Sequence, residues 1–143
     1  MKTRTYVLVM CGLLTLLSGA TLSANEGDLK CVVRFSFAAG SKTLPAGSYR
    51  VSVATPVRGV LAIRGARAGA FLVSPKPESD NATASPRLVF NRYRDQYFLR
   101  VVRYADRSYA LPETMQEREA STGRNRMQAL PPEVVAIQAS VSQ

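Results

Sequence analysis

Arginine and tyrosine crowd into one stretch of this chain: Arg92, Tyr93, Arg94, Arg100, Arg103 and Tyr104, with Arg87, Arg107 and Tyr109 beside them. A guanidinium offers a planar fork of donors to phosphate, sulfate or carboxylate, and it stacks on flat groups much as a phenol ring does. These six residues are therefore the candidate anion- or partner-binding site. The competing reading is that cations on the solvent face of a hairpin keep a protein soluble and block edge-to-edge pairing. A second basic cluster, Arg58, Arg64 and Arg67, is interleaved with Gly59, Gly65 and Gly69. No Gly-Lys-Ser/Thr follows it, so it is not a phosphate loop and reads as a basic surface loop.

Other chemistry is bounded by residues the chain lacks. It has no histidine, the side chain most used for proton transfer near neutral pH and for holding zinc or copper. Ser-His-Asp and Cys-His sites cannot be assembled within it. Its acids stand singly, apart from Glu117 and Glu119, and none fall at calcium-loop spacing. The expectation is a non-enzymatic protein without cofactor or metal.

The opening residues read as an export leader: Lys2 and Arg4, then an apolar run from Tyr6 to Leu17, then small and polar residues from Ser18 to Ala24. The run is shorter than the roughly 20 residues that cross a bilayer. Cleavage is expected after Ala24, giving a leader over residues 1–24 and a single domain over 25–143. Nothing later is apolar for long enough to span a membrane. Cleavage would remove two cations and no acid, lowering the formal charge from +9 to +7. Such a charge attracts anionic surfaces, and export to the periplasm or beyond disfavours nucleic acid as the partner. Of two cysteines, only Cys31 survives cleavage. On a strand with Val32 and Val33, Cys31 reads as a small buried hydrophobe, with pairing between two copies in a homodimer as the alternative.

The domain reads as mainly β. Cys31, Val33, Phe35 and Phe37 alternate with Lys30, Val32, Arg34 and Ser36, and Tyr49, Val51 and Val53 resume the period after the Leu44-Pro45-Ala46-Gly47 turn. Short apolar runs follow at Val60–Ile63 and Ala70–Val73, and residues 74–86 have the composition of a long loop. Arg87–Asn91 and Gln96–Tyr104 form a hairpin whose second arm is apolar on both faces, so it should be covered on both. In that arm Tyr97, Leu99 and Val101 are expected to share one face. Thr114–Ser121, closed by Gly123, fits a short helix, and Val135–Val141 returns to a sheet. About seven strands at this spacing argue for an antiparallel β-sandwich or small barrel with one short helix in the C-terminal half.

Phe35-Ser36-Phe37, Thr43-Leu44-Pro45-Ala46-Gly47-Ser48-Tyr49, Leu88-Val89-Phe90, Arg92-Tyr93 and Tyr97-Phe98-Leu99, with Glu117-Arg118-Glu119, resemble a group of small exported bacterial proteins of uncharacterised function. The resemblance covers most of residues 25–143 and implies export and a β-rich fold; it brings no activity. Where that group carries glycine after the hairpin tyrosine, this chain has Arg94. The function expected is an exported binding module of the cell envelope. It would contact an anionic polymer or another protein through the basic, tyrosine-containing hairpin face. The alternative is a lipocalin-like carrier of a small apolar ligand. A filled interior built on Phe35, Phe37, Phe71, Phe90 and Leu99 would favour the first, a lined cavity the second.

Overall fold

The computed structural model describes residues 27–55, 58–74, 77–79, 85–104, 106–122 and 131–142. The expected leader with its cleavage after Ala24, and the helix stop at Gly123, lie outside the described residues. Within them the chain forms β1 (Asp28–Val33), β2 (Phe37–Ala39), β3 (Lys42–Leu44), β4 (Gly47–Thr55), β5 (Val60–Gly65), β6 (Gly69–Val73) and β7 (Pro77–Ser79). Then come β8 (Arg87–Tyr93), β9 (Gln96–Arg103), β10 (Arg107–Ala110), the helix α1 (Met115–Thr122), β11 (Glu133–Gln138) and β12 (Ser140–Ser142). The fold is mainly β with one short helix, as expected, and none of its helices is long and apolar enough to cross a membrane among the described residues.

Two sheets pack face to face. The first runs β12-β1-β4-β5-β6 and the second β11-β8-β9-β10-β7, every neighbouring pair antiparallel. The small hairpin β2–β3 joins the second sheet through a parallel bridge between Ala38 and Phe98. Chain passes from one sheet to the other at both flanks. β6 on the first sheet gives way to β7 on the second, and β11 on the second gives way to β12 on the first. Buried Ser74 stitches one flank: its N–H donates to Gly59 O at 2.9 Å and its hydroxyl to Ala110 O at 2.8 Å. At the other flank the Ala139 N–H donates to Pro86 O at 2.9 Å, continuing the β11–β8 ladder to the point where β12 begins. The two sheets thus form a sandwich around one core, joined at both flanks by passing chain.

The switching also explains why more strands form than the seven expected. Residues 31–37 alternate as one strand would, yet β1 belongs to the first sheet and β2 to the second. A segment crossing between two sheets around one core keeps the same inward period while changing its partner. Residues 135–141 divide into β11 and β12 in the same way. β7 forms inside the segment expected to be loop, and β10 was not anticipated.

Leu29, Val33, Phe37, Val51, Leu61, Ile63, Leu88, Phe90, Val102 and Tyr109 fill the space between the sheets. Phe37 sits edge-on to Tyr49 and to Phe90, at centroid distances of 5.3 and 5.2 Å. Each fully buried apolar side chain of this size contributes about 1.5–3 kcal/mol. Phe71 is a correction to the expected core: it stands on the outer face of β6, 72 % exposed, because Ala70 and Leu72 take the inward positions.

The Leu44-to-Tyr49 motif is architectural. Leu44 and Tyr49 are buried, the Ser36 hydroxyl donates to Leu44 O at 3.1 Å, and the Tyr49 hydroxyl donates back to Pro45 O. This ties the corner between β3 and β4. The Tyr49 ring lies against its strand partner Gly65, where a Cβ would come within 2.6 Å of the ring, so only glycine fits.

Candidate functional site

The hairpin β8–β9 lies in the middle of the second sheet, covered on both faces as its sequence required. Its turn is Arg94-Asp95, and Arg94 takes φ +56°, the left-handed conformation that favours glycine. The register slips between Val89 and Phe90: Val89 faces Val101 while Phe90 faces Leu99, leaving Arg100 as an extra residue in β9. This bulge corrects the expected face. Leu99 and Val102, not Leu99 and Val101, point into the core, and the carbonyl of Arg100 is taken up by the Leu111 N–H at 2.7 Å.

The six hairpin candidates do not share one surface. Arg92 lies at the rim of the core side, its guanidinium 5.4 Å over the Tyr97 ring, with Nη1 3.1 Å from Glu133 Oε2 and Nε donating to Arg94 O at 2.8 Å. Tyr97 in turn stacks on Phe35 at 3.8 Å. Tyr104 is buried among the core residues, where its hydroxyl donates to Val51 O at 3.1 Å. Tyr93 points the opposite way, buried beneath α1 with Phe98, Ala38 and Ala120. Burial, and then the negative charges of Glu117 and Glu113, push the Tyr93 phenol above its ordinary pKa. Arg94 is exposed at the turn, and Arg103 stands opposite Arg87 at the far end of the hairpin.

The bulge aims Arg100 at α1. Glu117 is 2 % exposed, with Oε2 3.4 Å from Arg100 Nη1 and Oε1 accepting from Asn91 Nδ2 at 2.9 Å. Thr114 caps the helix, its hydroxyl accepting from the Glu117 N–H at 3.2 Å. The charge of Arg100 is therefore committed to holding the helix on the outer face of the second sheet. Beside it, an open groove of about 790 Å³ runs along the hairpin tip, lined among others by Thr43, Tyr93, Arg94, Asp95, Gln116 and Glu119. Its charges are mixed, and the rings of Tyr93 and Phe98 are packed against each other at 6.0 Å.

Among the described residues, a row of cations exposed to solvent lies on the other sheet. Lys30 on β1 pairs directly with Arg50 on β4, and Arg50 with Arg64 on β5. All three are exposed and alternate with inward-facing Leu29, Cys31, Tyr49, Val51 and Ile63, so they form a row across the outer face. Ser140 extends the row at one end and Gly69 at the other. Among the described residues, its ion pair is Asp28 Oδ2 to Arg50 Nε, at 3.6 Å. An open groove follows the row, lined by Lys30, Ser48, Arg50, Arg64, Gln138 and Ser140. Alternation in the sequence places Lys30 and Arg50 outward, but only the register brings them beside Arg64, which the glycines around it assigned to a loop.

Cys31 is buried against the core, its thiol 3.9 Å from Tyr49 O, and burial pushes its pKa up to about 11. Pairing between copies would require β1 to open first. A protein family, a curated protein or a solved structure that matches this chain is not found.

Proposed function

We propose that the protein is an exported, non-enzymatic binding module of the cell envelope that engages an anionic partner electrostatically through its outer surface. The observation that carries this reading is the row Lys30, Arg50, Arg64, three cations set directly side by side with Asp28 as the ion-pair partner. Like charges on directly opposed strand positions are destabilising, and an anionic ligand removes that cost. Interlocked Phe35, Phe37, Phe90 and Tyr97 between the sheets support a surface binder over a carrier of an apolar ligand. The formal charge of +9, or +7 after the expected cleavage, adds long-range attraction.

The test is retention of the chain from Asn25 onward on an anionic matrix as salt is raised. Retention at low salt that is lost well below 1 M is expected, because exposed charges are screened within about 3 Å at that strength. Passage through the matrix at low salt would remove the reading.

A further inference from the structure

The outer face of the first sheet carries more than charge. Val32 beside Lys30 is 60 % exposed, and on β6 Phe71 and Val73 are 72 % and 58 % exposed. All three stand on the same face as the cations: Val32 pairs with Ser48, Phe71 with Ala62 and Val73 with Val60, each outward of a buried neighbour. Phe71 lies two residues along β6 from Gly69, the glycine that ends the cation row. A hydrated linear polyanion would account for Lys30, Arg50 and Arg64 but has nothing to offer a phenyl ring held in solvent. An anionic lipid bilayer accounts for both, since its headgroups carry the negative charge and its acyl boundary takes up apolar side chains.

We propose that this face is a docking surface for an anionic phospholipid bilayer. Lys30, Arg50 and Arg64 lie among the headgroup phosphates, and Phe71, with Val73, enters the boundary below them. Ser48, which lines the same groove, adds a hydroxyl donor to the phosphates, while the Ser140 hydroxyl donates to Lys30 O at 3.5 Å. The inference rests on the electrostatic reading above and specifies the partner. It also takes Arg92 and Arg100 out of the contact, because they are held by Glu133 and Glu117.

The experiment is co-sedimentation of the chain from Asn25 onward with vesicles of mixed phosphatidylglycerol and phosphatidylcholine, with pure phosphatidylcholine as control. Binding to the mixed vesicles alone is expected. Lys30→Gln/Arg50→Gln/Arg64→Gln should weaken it on the order of 100-fold, at roughly fivefold per cation near such a surface. Phe71→Ser should weaken vesicle binding while leaving retention on a soluble polyphosphate unchanged, and Arg92→Gln/Arg94→Gln should bind as the parent does. Circular dichroism identifies any variant that has lost the fold, and Arg50→Gln alone, with Asp28 left in place, is the milder substitute. Wild-type protein that ignores the vesicles yet is held by the anionic matrix overturns the lipid surface and leaves the electrostatic reading standing. Failure on both removes both. Undiminished binding by the triple variant overturns this face, and undiminished vesicle binding by Phe71→Ser favours a linear polyanion instead.

Discussion

At the scale of single residues, Cys31 behaves as a hydrophobe with a titratable end. Its thiol ionises less readily in the folded chain than in the unfolded one, because burial raises its pKa from 9.0 to about 11. The unfolded thiol therefore loses its proton first, and the stability this group contributes is complete below about pH 9 and disappears as the pH climbs to about 11. Tyr49, also raised by burial and then by the Cys31 charge, acts with the same sign at the upper end. Urea midpoints measured against pH should fall through this window, and Cys31→Val should flatten the first part of the fall. A midpoint independent of pH would contradict the assignment. At neutral pH the native thiol should react with an aromatic disulfide reagent only as fast as β1 opens, so a covalent homodimer through Cys31 would be a product of unfolding rather than of docking.

At the scale of elements, the bulge at Arg100 and the first turn of α1 act as one unit. Glu117→Ala leaves Arg100 half-buried without its carboxylate and Asn91 without its acceptor, and should cost about 3 kcal/mol. Replacing both charges, as Arg100→Met/Glu117→Leu, should return the protein to within about 1 kcal/mol of the parent. Equilibrium unfolding of the three variants checks this, and a double variant as weak as the single would show that the pair is worth more than its apolar substitute. The sequence made parts of this legible: the helix was expected at Thr114–Ser121 and is found at Met115–Thr122, and both faces of β9 were expected to be covered. The bulge was not legible, because an inserted residue leaves no mark in an alternating run of Leu, Arg and Val until its partner strand is known. The same limit scattered the candidate site. Neighbouring positions 92, 93 and 94 point to the core rim, under the helix and into solvent, whereas Lys30, Arg50 and Arg64, far apart in sequence, meet through register alone.

At the scale of the whole molecule, one strand protects a sheet edge. The edge of β1 is covered by β12, where Asp28, Leu29 and Lys30 pair with Ser142, Val141 and Ser140. Deleting residues 140–143 would leave that edge with unpaired N–H and C=O groups, a template for another copy. Sedimentation velocity should show concentration-dependent association of the shortened chain; a stable monomer would mean that the edge is protected in some other way. The pairing of residue 28 with residue 142 also has a temporal side. Strands joined across such a distance in sequence form late, on the order of milliseconds to seconds, because loop closure must come before any reward from the contact. A chain made from its N-terminal side can build hairpins as it grows, but it cannot seal the first sheet until Ser140–Ser142 have been added. Until then β1 stays an open edge, so the interval in which the first sheet is incomplete is also the interval in which it can pair with another copy.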